Sequence, residues 1–182
     1  VNDQDALALL RAAVPAAEGE VWADLGAGSG VFTRALAALV GPAGHVFAAD
    51  ADARALGAVR RWAAGTAPGP EITIVRADVT GALALPPLDG VVMANVLHFV
   101  ADAEAVVPRI ATLLRPGGRL VLIEYEGRRP GPWVPYPVSA ARFRELAAAA
   151  GLVEPRVAAT RPSRFGGEIY AAVAVRASPR FG

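Results

Sequence analysis

Apolar residues recur along the chain in two alternating rhythms. Leu7, Leu10 and Val14 are spaced for one face of a helix, with Asp3 or Asp5 placed to cap it and Pro15 to end it. Residues 20–25 read as a short strand that runs into Gly26-Ala27-Gly28-Ser29-Gly30. Helical spacing returns over 31–40, where Phe32, Leu36, Leu39 and Val40 fall near one face and Gly41-Pro42 stops the run. The cycle then repeats: a strand over 45–49 ending at Asp50, a helix over 52–64, a break over 65–70, and a strand over 71–76 ending near Asp78. A buried strand over 90–94, a helix over 102–114, a tight turn at Pro116-Gly117-Gly118 and a strand over 119–125 follow. Beyond a proline-rich loop over 126–138, residues 139–150 read as a helix, with Ser139 as N-cap and Gly151 just past its end. Strand-like stretches over 153–159 and 168–176 close the pattern, and 177–182 reads as a frayed tail.

Strands alternating with helices imply a mainly parallel sheet covered on both faces. Right-handed crossovers then force a doubly wound arrangement. The expected fold is therefore α/β, a doubly wound Rossmann-like sheet, with its ligand beyond the carboxyl ends of the strands. The 182 residues fit one domain, with a helix over 1–17, a core over 18–176 and the tail.

Composition narrows the chemistry. Of the hydrophobic residues 41 are alanine, so the core rests on 22 Val, 17 Leu and 5 Ile. The net charge of +1 gives no basic footprint for nucleic acid or an anionic membrane. No apolar run approaches the roughly 18 residues of a membrane span, and the acidic start lacks a signal-peptide pattern, so a soluble cytoplasmic protein is expected. Cysteine and lysine are absent, and all 18 basic side chains are arginine. Thiolate nucleophiles, Cys-ligated metal, a P-loop lysine and a lysine Schiff base are thereby excluded. The two histidines, His45 and His98, are too few for a metal cluster, and no metal is expected.

The glycine cluster follows a strand and opens a helix, but its third glycine comes one residue too early for a dinucleotide fingerprint. Glycines at such a turn let a ligand approach the main chain, and the helix N-terminus offers N–H groups suited to a carboxylate. Asp50, at the next strand end, can accept from both hydroxyls of a ribose. Asp78, at the third, can accept from an exocyclic amine. Together these strand ends describe a nucleoside carrying an amino-acid tail.

In this respect the chain resembles the class I S-adenosylmethionine-dependent methyltransferases over about residues 18–176. The resemblance is carried by five ordered motifs: residues 24–30, the strand end at Asp50, Arg76-Ala77-Asp78-Val79, residues 88–95, and Leu114-Arg115-Pro116-Gly117-Gly118-Arg119-Leu120. It is most similar to the small-molecule, ubiquinone/menaquinone-biosynthesis-like branch, where residues 95–100 match the stretch after strand four. The resemblance implies seven strands with the last antiparallel, and S-adenosylmethionine as cofactor. It implies that Gly26, Gly28 and Gly30 line the methionine tail with Asp24 near its amino group. Asp50, with Ala51 beside it, would hold the ribose, Asp78 the adenine amine, Val79 the ring, and Asn95 the methionine portion near the sulfonium.

For the acceptor side, His98 is the candidate general base, and Trp133 and Tyr136 are candidates for walling a pocket. Arg128 and Arg129 are read as solvated loop residues, and His45, away from the ligand edge, as structural. Cytosine C5 and arsenite methylation require cysteine, and the ribose-methylating group requires a lysine; neither residue is present. The stretch Asn95-Val96-Leu97-His98 lacks the prolines of amino-methylating DNA enzymes and the aspartate of metal-dependent catechol transfer. A small-molecule acceptor remains, methylated on O, N or C, with a protein side chain as the other acceptor left open. With little chain beyond the core, a partner or second subunit is a candidate to complete the acceptor side. Two alternatives stand beside methyl transfer: a cofactor-binding regulatory module without turnover, and a nicotinamide oxidoreductase, which the glycine spacing disfavours.

Overall fold

The computed structural model describes residues 1–14, 17–65, 68–163 and 165–178. Pro15, part of the expected 65–70 break and the last four residues of the expected tail lie outside the described residues. The elements run α1 (Asp3–Ala13), β1 (Val21–Leu25), α2 (Val31–Val40), β2 (His45–Asp50), α3 (Ala53–Ala64), β3 (Glu71–Arg76), β4 (Leu88–Ala94), a 3-10 turn (Leu97–Phe99), α4 (Ala103–Ala111), β5 (Leu114–Glu126), α5 (Ala140–Ala149), β6 (Leu152–Pro162) and β7 (Glu168–Arg176). The seven strands form one sheet in the order β3-β2-β1-β4-β5-β7-β6, with β1 to β5 parallel and β7 antiparallel to both its neighbours. The order reverses between β1 and β4, so a crevice opens at their carboxyl ends.

Alternation along the strands builds the two core layers. Val91 and Met93 point to one face, where they meet Val106 and Ile110 of α4 and Phe143 and Leu146 of α5. Val92 and Ala94 point to the other, against Leu9 and Leu10 of α1 and Phe32 and Leu36 of α2. On that same face Val59 of α3 packs on Ala27 and Ala48. Trp22 is fully buried in this layer, and its indole lies where Gly90 of β4 leaves room; a Cβ there would come within 2.3 Å of the ring.

Several boundaries differ from expectation, each for a local reason. The cap of α1 is Asn2, whose side chain accepts from the Asp5 N–H, rather than Asp3 or Asp5. Helix α4 stops at Ala111, because the Thr112 hydroxyl turns back to the Arg109 carbonyl and Leu114 already pairs with Leu88. The Pro116-Gly117-Gly118 turn is a bulge inside β5, across which the register slips from Leu88↔Leu114 to Gly90↔Arg119. Strand β4 begins two residues earlier than expected, and β6 reaches from Leu152 to Pro162. Among the described residues, no helix is long and apolar enough to cross a membrane.

Candidate active site

The glycine turn is held by its neighbour strand. The N–H groups of Gly26 and Ala27 both donate to the Ala49 carbonyl, at 2.8 and 3.0 Å. The Gly28 N–H donates to Asp50 Oδ2 at 2.8 Å. Gly26 has φ of 80°, and a Cβ there would lie 2.1 Å from Val96. Asp50 is not a helix cap, because Asp52 serves α3 by accepting from the Arg54 N–H. Both Asp50 oxygens instead take backbone N–H groups, from Gly28 and Asp52.

Gly26, Asp50, Ala51, Asp78, Val79 and Asn95 come together around one crevice of about 350 Å3 at the ends of β1, β2 and β4. Three of the expected ligand residues do not line it. Asp24 has the strand parity of Trp22 and turns to the α2 face, where it is 1% exposed and accepts from the Thr33 hydroxyl at 2.6 Å. Gly30 faces α3, since a Cβ there would meet Val59, and a Cβ on Gly28 would project into open space. Asp24 and Gly28 thus brace the turn, and Gly30 starts α2 in a left-handed conformation.

Burial raises the Asp24 carboxyl to about 6, against the opposing Thr33 hydrogen bond and with help from the nearby Asp50 charge. The folded chain therefore binds a proton more tightly than the unfolded chain does. Stability from this group is greatest below about pH 4 and is lost as pH rises through about 6. Asp24→Asn keeps the acceptor for Thr33 and removes the charge. Denaturant unfolding at about pH 7.5 should show it more stable than the natural chain by about 1–3 kcal/mol, the gap closing by about pH 4. A variant less stable at the higher pH would mean that the charge serves the N-terminus of α2 instead.

Asp78 sits in an exposed turn, where Oδ1 accepts from the backbone N–H and the hydroxyl of Thr80, both at 2.8 Å. Those bonds hold its carboxyl below the ordinary carboxylate range, so it stays ionised. Arg109 of α4 donates to the carbonyls of Val79 and Thr80 and pins this turn, a contact that the sequence pattern did not reveal. Asn95 closes β4 with φ of 56°, its N–H donating to the Ile123 carbonyl. Its side-chain Oδ1 is buried and, among the described residues, has no hydrogen-bond partner. A buried polar atom calls for a partner, and a donor on a bound ligand would supply one.

A second cavity, of about 570 Å3, adjoins the first and shares Asn95 and Phe99 with it. His98, Tyr125, Arg128, Trp133, Val134 and Phe165 complete its walls. Trp133 is thus on a wall of this cavity. Tyr136 is not: its N–H is tied to the His98 carbonyl, and its side chain lines a separate groove beside α4 and α5. Arg128 is not simply solvated, since it donates to the carbonyls of Phe165 and Gly166 and lies over the Tyr125 ring. His45 is at the opposite end of its strand, bonded to the Thr73 hydroxyl. His98 is buried and bonded to Glu124, a residue not singled out from the sequence.

Comparison with known proteins gives the chain a family. A family profile described as "Methyltransferase domain" matches residues 23–118. A ubiquinone/menaquinone biosynthesis C-methyltransferase of Hahella chejuensis is 35% identical over 104 residues, 56% of this chain and 41% of that enzyme. The chain thus spans less than half the length of that curated relative. Among solved structures, magnesium protoporphyrin IX methyltransferase of Synechocystis, with bound S-adenosylhomocysteine, is similar at a TM-score of 0.76 and 21% identity, over 96% of this chain and 82% of that one. An arsenic(III) S-adenosylmethionine methyltransferase of Chlamydomonas reinhardtii is similar at 0.75 and 20%, over 98% and 74%. At these identities the structural likeness speaks for the fold.

Proposed function

The chain belongs to the methyltransferase-domain family, of the class I S-adenosylmethionine-dependent kind, and from that premise we propose that it methylates a small molecule held in the second cavity. The observation that carries this reading is the junction at Asn95, where two cavities meet beside a buried oxygen that has no partner among the described residues. The residues present suit the cofactor. Asp50, with Ala51 beside it, would hold the ribose hydroxyls, and Asp78 the adenine amine. Val79 would pack on the ring, and Asn95 Oδ1 would gain its missing donor from the methionine portion. Asp24 and Gly28 act from beneath by keeping the turn in shape.

When bound, S-adenosylmethionine supplies a methyl group on a cationic sulfur that leaves with its bonding pair. The chain itself supplies alignment and exclusion of water. Its acidic strand ends favour a cationic ligand, and the second cavity has the volume of a small-molecule site. His98, on the wall of that cavity, is the residue placed to take a proton from the acceptor. Titration calorimetry should show saturable binding of S-adenosylmethionine and S-adenosylhomocysteine below millimolar concentration. Absence of binding by both at millimolar ligand would remove the reading.

A further inference from the structure

His98 lies on the 3-10 turn after β4 and is 3% exposed. Its Nδ1 is 2.5 Å from Glu124 Oε2, and its backbone N–H donates to Glu124 Oε1 at 3.2 Å. Glu124 itself, on β5, is 1% exposed. A carboxylate this deep is costly unless paired, and both its partners here belong to one histidine. Capping a single 3-10 turn asks only for the backbone bond. The bond to the ring fixes chemistry as well. A carboxylate oxygen accepts, so it takes the proton of Nδ1–H, and in the neutral ring Nε2 is then the acceptor. Among the described residues Nε2 has no hydrogen-bond partner, and the ring borders the second cavity.

We propose that Glu124 positions His98 as a general base, and that the acceptor is in consequence a hydroxyl group carried on a flat apolar body. This rests on the methyl-transfer reading above. A neutral amine attacks through a lone pair it already has, and loses its proton afterwards. A hydroxyl is a weak nucleophile until its proton leaves, so a buried base points to a hydroxyl rather than an amine. The walls point to the body. Among the described residues, three of the five exposed large hydrophobics, Phe99, Trp133 and Phe165, line this one cavity. Clustered exposed apolar side chains mark a binding site, and aromatic faces suit a flat partner. Arg128, 5.2 Å above the Tyr125 ring, disfavours a cationic acceptor and favours the oxyanion that forms.

In the step, the O–H bond breaks, its proton moves to Nε2 and its electron pair stays on oxygen. That oxygen forms the new bond to the methyl carbon, and sulfur keeps the pair of the bond it loses. The imidazolium is held by Glu124 through Nδ1–H. Among the described residues, other titratable or charged groups near the ring include Tyr125 on β5, Tyr170 on β7, which pairs across from Glu124, and Arg128 in the loop.

The test uses the whole chain saturated with S-adenosylhomocysteine. Nitrogen-15 spectra of the two imidazoles should show His98 protonated on Nδ1. 4-Nitrophenol, whose phenolate is coloured, should bind and ionise about tenfold more readily than in water. Glu124→Gln presents an amide N–H to Nδ1 and leaves the proton on Nε2, so it should abolish that gain with affinity for S-adenosylhomocysteine unchanged. The inference is overturned by a His98 protonated on Nε2. It is equally overturned by nitrophenol that fails to bind or keeps its solution ionisation, or by a gain that survives Glu124→Gln. Each of these outcomes leaves methyl transfer standing, whereas failure of S-adenosylhomocysteine to bind removes both. Should Glu124→Gln not fold, the tautomer and nitrophenol measurements on the natural chain decide.

Discussion

Gly26→Ala is expected to lower the melting temperature by about 4–20 °C. Two costs add. Holding alanine at φ of 80° costs about 1–2 kcal/mol, because its Cβ crowds the following carbonyl. That Cβ also arrives 2.1 Å from Val96 Cγ2, well inside contact distance, and overpacking of this kind costs about 1–3 kcal/mol. The sum, about 2–5 kcal/mol, converts at about 2–4 °C per kcal/mol for a chain of this size. Gly28→Ala is the internal control. Its φ is 54° and its Cβ would meet nothing, so only the smaller backbone cost applies. Adding Val96→Ala to Gly26→Ala removes the colliding methyls and should recover the packing part alone. Thermal unfolding of the four proteins checks all of this. A Gly26→Ala chain that melts with the natural one would show that Val96 does not sit over the turn.

Gly26 also illustrates what the sequence pattern makes legible. A strand followed by closely spaced glycines and a helix is a local pattern, and the turn formed where that pattern put it. Helix α2 and strands β3 and β7 likewise have the boundaries expected from their spacing. What stayed hidden depends on which way side chains turn and on partners far along the chain. The family resemblance aims Asp24 at the ligand, but the parity of β1 is set by Trp22 packing against α1 and α2, which turns Asp24 under the loop. Trp133 and Tyr136 are three residues apart in one loop. The Gly131↔Val134 bridge and the bond from the Tyr136 N–H to the His98 carbonyl send them to different cavities. Glu124 read as one residue near the end of an apolar strand. Its partner is 26 positions earlier, and only the parallel register of β4 on β5, with Ala94 opposite Ile123, brings the 3-10 turn over it.

Asp50→Ala should weaken binding of S-adenosylhomocysteine by about 10–150-fold, the loss of about 1.5–3 kcal/mol of charge-assisted hydrogen bonding. The ribose contact must be separated from a second role, because Asp50 also holds Gly28 and Asp52. Loss of that brace would loosen the turn and weaken any ligand, whether or not its hydroxyls touch the carboxylate. The 2′-deoxy analogue of S-adenosylhomocysteine separates the two. If Asp50 grips the sugar, the natural chain should bind the analogue more weakly than its parent, and the Asp50→Ala chain should scarcely distinguish them. The difference between those differences is the coupling energy of carboxylate and hydroxyl, free of the brace. Equal discrimination in both chains would assign the whole effect to the turn. An Asp50→Ala chain with undiminished affinity would take the second strand end out of the cofactor site altogether. Asp50→Asn, which keeps one oxygen for Gly28, should then fall between the two in stability, which calorimetric unfolding can follow alongside the binding measurements.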